Sequence, residues 1–136
     1  MPLFLHQRDS HKDFLNCIEI AKPETNCVVH CFTGSKIEMT DYLNLGFYIG
    51  LTGWICDPKR GAHMEEFISD IPLEKLLIET DSPYLLPKKV KIKERRNKPL
   101  FLSEVLNKIS EIRQEPIDIL CSEIFKNSLK FFNLQK

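Results

Sequence analysis

The sequence lacks three features that would place the protein in a specialised class. No apolar run approaches the roughly 20 residues that a membrane helix requires. No two of the five cysteines form a C-x-x-C pair, and residues 1–6 contain neither the basic stretch nor the long apolar stretch of a secretory leader. These absences argue against a membrane protein and against a disulfide framework, and they predict a cytosolic protein with free thiols.

The chain also lacks an excess of charge of either sign, because 19 basic residues balance 19 acidic ones. No overall field therefore attracts it to nucleic acid, and any such contact must come from a local patch. A patch of this kind exists between residues 88 and 98, where lysine and arginine occupy seven positions. The length of 136 residues suits one domain with a real core, so we expect a single domain over 1–136.

Four short apolar runs alternate with stretches of helical periodicity. The runs predict strands at 2–6, 27–32, 47–50 and 76–79, and the periodicity predicts helices after Ser10, after Ser35, near His63–Ile68, after Pro99 and after Pro116. Ser10 with Asp13 and Ser35 with Glu38 each predict a capping box at a helix start. Apolar strands separated by amphipathic helices are typical of an α/β fold with a parallel sheet covered on its faces. Four such units can close a small open sheet or supply half of an eight-stranded barrel, which needs about 250 residues.

Two histidines and one aspartate each follow an apolar run where the predicted strand ends: His6, His30 and Asp81. In parallel α/β folds, sites are built at the carboxyl ends of the strands. Two imidazoles and a carboxylate suit a divalent cation that would activate water and polarise a phosphoryl oxygen. Each residue also has a simpler interpretation, since a histidine after a strand is often only hydrogen-bonded and Asp81 before Ser82-Pro83 is typical of a turn.

Six segments carry a resemblance to one family, in order and with similar spacing. They are Phe4–Asp9, Val29–Gly34, Tyr48–Asp57, Ile78–Leu85, Arg95–Pro99 and Asn127 with Phe131-Phe132. These segments look like the signature segments in the second half of the TatD-type metal-dependent deoxyribonucleases, with Lys98 where that family usually has glutamate. The resemblance spans essentially the whole chain.

The resemblance implies the C-terminal half of a (β/α)8 TIM barrel, comprising strands five to eight with their helices. It implies a metal-dependent hydrolase that cleaves DNA phosphodiester bonds, a 3'-5' exodeoxyribonuclease acting on single-stranded ends. By resemblance, His6, His30 and Asp81 are metal ligands, and Asp81 is also catalytic because it orients or deprotonates the attacking water. The expected cofactor is a divalent metal, Mg²⁺ before Mn²⁺ or Zn²⁺.

Further residues are expected around this site, each with a structural alternative. Arg8 and Glu79 stand two residues from His6 and Asp81, where they would contact phosphate or support a ligand, or else form ordinary ion pairs. The basic loop places Arg95 and Arg96 for phosphate binding, although a run of charge is usually only solvated. Trp54 and Tyr84 are expected on the rim, where they would stack bases or simply pack.

The chain departs from the family pattern because it begins at what would be the fifth strand. The family's first-strand His-x-His pair and mid-barrel glutamate are therefore not in this sequence, and His11 and His63 are not expected to replace them because both fall on or near predicted helices. Half a barrel would leave two open strand edges and an uncovered apolar face. We therefore expect pairing with a missing N-terminal half or with a second copy. A catalytically inactive remnant that acts as an interaction module, or a hydrolase of another phosphoester, remains the alternative.

Overall fold

A computed structural model describes residues 1–134 of the chain. It contains four strands and four α-helices in the order β1-α1-β2-α2-β3-β4-α3-α4, with five short 3₁₀ turns between some of them. The strands are β1 (Leu3–His6), β2 (Cys27–His30), β3 (Tyr48–Leu51) and β4 (Leu76–Ile78). The helices are α1 (His11–Ala21), α2 (Lys36–Asn44), α3 (Leu102–Arg113) and α4 (Ile117–Phe131).

The four strands form one parallel sheet in the order β1-β2-β3-β4. The register pairs His6 with His30 and Ile49 with both Val29 and Leu76, so the carboxyl ends of the strands meet at one edge. An open doubly wound sheet reverses its strand order at a switch point, whereas consecutive barrel strands lie side by side. The observed order is that of consecutive barrel strands.

Alternate residues of each strand face opposite layers. On one face, Val29, Ile49 and Leu76 are completely buried in the main core, which the helices cover. On the other face, Val28, Tyr48 and Leu77 form a second, smaller cluster with Phe131. His30, Gly50 and Glu79 each lie two residues beyond a member of this second cluster. Because alternate residues of a strand share a face, the candidate site lies on the same side of the sheet as Val28, Tyr48 and Leu77.

The C-terminal end of α4 covers this second face. Phe131 is fully buried and meets the Tyr48 ring edge-on at 5.2 Å, while the Asn26 amide donates to the carbonyls of Lys130 and Phe131. The expectation of an uncovered apolar face is therefore wrong for β2, β3 and β4, because α4 supplies the cover. It holds at β1, where Phe4 is 51% exposed.

Of the two capping boxes predicted at helix starts, the structure contains the one at α2 and lacks the one at α1. Ser35 and Glu38 form the expected capping box at the start of α2, each satisfying a backbone N–H of the other. The similar pattern of Ser10 and Asp13 does not form one, because the Ser10 side chain makes no capping bond.

The helix expected near His63–Ile68 is replaced by two 3₁₀ turns, Ala62–Glu66 and Ile68–Asp70. The Arg113 guanidinium of α3 donates to the carbonyls of Ile68 and Ile71 at 3.2 and 2.8 Å. These carbonyls are thus satisfied by a distant side chain, and a continuous helix is not required to satisfy them.

Candidate active site at the carboxyl ends of the strands

The structure brings together the three residues expected to bind metal. His6 and His30 end adjacent strands, and their ring centroids lie 6.0 Å apart. Nε2 of His30 lies 3.5 Å from Oδ1 of Asp81, three residues beyond β4. Their meeting follows from the parallel sheet, which brings the carboxyl ends of neighbouring strands to one edge.

Glu79 holds the His30 ring from the opposite side. One carboxylate oxygen of Glu79 contacts Nδ1 of His30, so Glu79 pairs with an expected ligand and does not form an ion pair with an arginine or a lysine of the described chain. Burial raises the pKa of Glu79, and the neighbouring His30 opposes that rise. Within residues 1–134, the second oxygen of Glu79 is buried without a hydrogen-bond partner.

Gly50 allows this contact because β3 lies between β2 and β4. A β-carbon built on Gly50 would collide with the Glu79 carboxylate, so the carboxylate occupies the space that any other residue would fill. Gly50 also accepts from the Phe32 backbone N–H at 2.9 Å. The sequence analysis missed this role, although a glycine inside an otherwise apolar strand is a signal of close approach.

The contact with Glu79 has a consequence for Nε2 of His30. A neutral imidazole that donates its Nδ1 proton to Glu79 carries a lone pair on Nε2, and this lone pair faces the Asp81 carboxylate. Two acceptors in this position repel each other unless a cation, either a proton or a metal ion, lies between them. The nitrogen and oxygen donors therefore fit one side of a divalent-metal site.

In the described part of the chain, no three histidine, cysteine or acidic side chains form a group ready to hold a metal ion. The pair formed by His30 and Asp81 is close enough to share a cation, and the His6 ring lies 6.0 Å from the His30 ring between centroids. Ligation by His6, His30 and Asp81 remains a prediction. His11 and His63 are bound elsewhere, His11 by Tyr42 and Asp41 and His63 by loop carbonyls.

Asn97 fixes the backbone around Asp81. Its buried side-chain amide donates to the carbonyl of Thr80 at 2.7 Å and to that of Leu85 at 3.3 Å. Its backbone N–H donates to the Pro83 carbonyl at 2.9 Å. Asp81 itself has a φ of 56°, a conformation that non-glycine residues adopt at a cost. Sequence reasoning used Asn97 only as part of a family segment and missed this clamp.

A small cavity of about 110 Å³ opens beside these groups. Its lining brings two expected ligands, His6 and Asp81, together with Gln7, Arg8, Cys31, Thr33, Trp54 and Leu85. Cys31 was not anticipated there. Burial raises the pKa of its thiol, and its Sγ lies 3.4 Å from the Thr52 hydroxyl, so Cys31 lacks the character of an activated nucleophile.

The expected substrate-contacting residues divide into two groups. Arg8 and Trp54 line the cavity itself, with the Arg8 guanidinium 5.2 Å from the indole centroid. Arg95 lines a separate cleft in the basic loop, Arg96 is exposed on that loop, and Tyr84 is 74% exposed beyond Asp81. Arg8 and Trp54 therefore lie nearer the proposed chemistry than the two loop arginines.

The family model described as TatD related DNase matches residues 1–133. The chain belongs to the TatD family. This confirms the resemblance drawn from the strand-end segments.

Curated TatD relatives share about two fifths of their residues with the chain. The 3'-5' ssDNA/RNA exonuclease TatD of Pantoea ananatis is 41% identical over 98% of the chain and 53% of its own length. The protein of the same name from Citrobacter rodentium is 43% identical over 98% of the chain and 52% of its own length. The chain thus spans about half the length of the curated relatives it matches.

Solved TatD structures show the same architecture. A TatD homologue from Escherichia coli K12 superposes with a TM-score of 0.87 at 28% identity, over 98% of the chain and 50% of that protein. A TatD family hydrolase from Entamoeba histolytica gives a TM-score of 0.85 at 28% identity, over 96% of the chain and 50% of that protein. The four-stranded parallel α/β fold therefore corresponds to half of a TatD TIM barrel. Among residues 1–134, no helix has the length and apolarity to span a membrane.

Proposed function

We propose that the chain is the C-terminal half of a TatD barrel and serves a metal-dependent nuclease that removes nucleotides from the 3' end of single-stranded DNA. The observation that carries this proposal is the meeting of His6, His30 and Asp81 at one sheet edge. Family membership and the curated relatives, named as 3'-5' ssDNA/RNA exonucleases, support the same chemistry. Here β1 to β4 correspond to strands five to eight, and residues 1–136 form one partial domain.

The proposed metal-binding residues are His30 through Nε2, Asp81 through its carboxylate, and His6. A bound divalent metal, Mg²⁺ before Mn²⁺ or Zn²⁺, would lower the pKa of water and neutralise charge on the phosphate. Asp81 would orient the attacking water and accept its proton. Glu79 keeps the His30 ring turned with Nε2 towards Asp81, as carboxylate partners of ligating histidines commonly do.

The surrounding side chains would bind the strand. Arg8 and Trp54 lie against the cavity, where they would contact the strand next to the terminal nucleotide, and Tyr84 lies on the rim beyond Asp81. Arg95 and Arg96 belong to the loop of 88–98, whose positive charge suits phosphates farther along the strand. This positive charge favours a nucleic-acid substrate over a neutral one, although another phosphoester would use the same metal chemistry.

Turnover of labelled single-stranded DNA by the purified chain tests the proposal. With Mg²⁺ or Mn²⁺, we expect release of mononucleotides from the 3' end, and a loss of at least about a hundredfold in Asp81→Asn. Asp118→Asn, an exposed change on α4, is the charge-matched control and should keep full activity. Absence of turnover with every divalent metal, in a folded sample, would refute catalysis by this chain alone.

The second candidate function is that of an interaction module without its own turnover. Its support is the open edge of β1, where Leu3 and Phe4 are 40% and 51% exposed, together with coverage of only half of the relatives' length. An exposed strand edge flanked by apolar side chains favours pairing with an N-terminal barrel half or with a second copy. Sedimentation velocity over a concentration series tests self-pairing: a single monomeric species at all concentrations would refute it.

A further inference from the structure

Two guanidinium groups lie over the indole ring of Trp54. The Cζ atom of Arg60 is 4.3 Å from the ring centroid and that of Arg8 is 5.2 Å, both within the range of cation–π attraction. The indole N–H donates to the Arg60 carbonyl at 3.1 Å, which fixes the ring relative to that turn. Both arginine side chains remain at least half exposed, so their donors are available to a ligand.

A buried carboxylate positions two of the cations near this ring, Arg60 and Lys88. Asp57 accepts from Nε of Arg60 at 2.8 Å and from the backbone N–H of Lys59 at 3.0 Å, and Nζ of Lys88 lies 3.6 Å away. Hydrogen bonds from the Lys59 backbone and the Arg60 side chain hold the pKa of Asp57 well below its usual range. Asp57 is therefore ionised, and its single charge orients Arg60 while leaving the group positively charged.

This cationic surface is continuous with the candidate active site. Arg8 and Trp54 line the 110 Å³ cavity that contains His6 and Asp81. A second cleft of about 400 Å³ follows beyond Arg60, lined by Asp57, Pro58, Lys59, Arg60 and Lys88. Lys88 also lines a third cleft of about 610 Å³ that includes Lys91 and Arg95. Positive side chains thus lead from the cavity to the basic loop.

A structural role for Asp57 requires only one cation, and Arg60 provides it. The remaining exposed charges around one aromatic ring match the arrangement by which proteins bind single strands, with bases stacked on aromatic rings or on arginine guanidinium planes and phosphates on flanking cations. We propose that Arg8, Trp54, Arg60 and Lys88 form a binding track for the nucleotides of single-stranded nucleic acid that lie 5' of the terminal one. This inference rests on the proposed function, because it takes the 3'-terminal nucleotide to lie at Asp81.

Binding without catalysis tests the track separately from the nuclease proposal. Trp54 is the only tryptophan, so its fluorescence reports this position alone. In EDTA, titration of the full chain with oligothymidylate should quench that emission, and dT10 should bind tighter than dT2 because more cations are reached. Arg60→Gln should weaken binding of dT10 about five- to tenfold and reduce the salt slope by about 0.7 per lost phosphate contact.

Two further variants complete the experiment. Lys126→Gln on α4 removes an exposed cation that lines none of these three clefts and should bind like the parent chain. Lys88→Gln is a second exposed change on the track, so a folding defect in Arg60→Gln would not decide the result. Equal affinity of Arg60→Gln, Lys88→Gln and Lys126→Gln would overturn the track. If Arg60→Gln and Lys88→Gln bind more weakly than Lys126→Gln but the parent chain shows no turnover, only the catalytic proposal would be overturned.

Discussion

Glu79 at the end of β4 contacts Nδ1 of His30 on β2 by reaching over the backbone of β3 at Gly50. The contact turns the other ring nitrogen of His30 towards Asp81, 3.5 Å away. Three adjacent strands thus set the orientation of one imidazole. His30 lies at the end of β2, Glu79 follows β4 and contacts the ring, and Gly50 of β3 leaves room for that contact. The orientation of the His30 ring depends on Gly50, a residue that has no side chain.

Gly50→Ala should therefore destabilise the chain by displacing the Glu79 carboxylate. We expect a loss of about 1–3 kcal/mol in the free energy of unfolding, the usual cost of overfilling a packed position. Urea denaturation measures it. Combining Gly50→Ala with Glu79→Ala removes the collision, so the double variant should lose less than the sum of the two single losses. Additive losses would contradict the close approach.

Asn97→Ala should loosen the segment that carries Asp81. The side-chain amide of Asn97 satisfies the carbonyls of Thr80 and Leu85, and its removal leaves both unpaired at a cost of about 1–3 kcal/mol. Hydrogen exchange of peptides covering 80–86 should become faster than in the parent chain. Lys93→Ala, an exposed change in the same loop, is the control and should leave that exchange unchanged. Equal exchange in the two variants would refute the clamp.

Phe131→Ala should uncover the second face of the sheet, which carries Val28, Tyr48 and Leu77. Phe131 is fully buried against Tyr48, and truncation of a buried phenylalanine costs about 3–5 kcal/mol. Phe125 lies on the same helix but is 63% exposed, so Phe125→Ala should change stability by no more than about 0.5 kcal/mol. Thermal unfolding of the two variants gives the comparison. Similar midpoints would show that α4 does not cover this face.

Thiol labelling should separate the partly buried Cys56 from the exposed cysteines. Cys17 and Cys121 are exposed, whereas burial raises the pKa of Cys56 to about 11. Because the thiolate is the reactive form, only about one in a thousand Cys56 side chains would be ionised at pH 8. Mass spectrometry should find Cys17 and Cys121 modified first, with the Cys56 rate rising as the pH approaches 11. Modification of Cys56 as fast as Cys17 at pH 8 would contradict this burial.

Local patterns predicted the elements well where local forces decide them. The apolar runs gave the four strands to within two residues, and the side chains of Ser35 and Glu38 cap α2 as expected. The segment 62–70 was predicted wrongly because Arg113, distant in sequence, binds the carbonyls of Ile68 and Ile71. The cover over the second face of the sheet was also missed because it depends on a contact that is distant in sequence: Phe131 comes from the last helix of the chain.

By itself, the sequence determined that short apolar strands would end in His6, His30 and, a few residues after the last strand, Asp81, because strand periodicity and turn chemistry are local. Only the tertiary structure decided that Glu79 contacts Nδ1 of His30, that Asn97 holds the Asp81 segment, and that Arg8 lies over Trp54. Each of these contacts links residues that sequence spacing does not bring together. Side-chain reach across a sheet and between loops depends on packing, which no local pattern encodes.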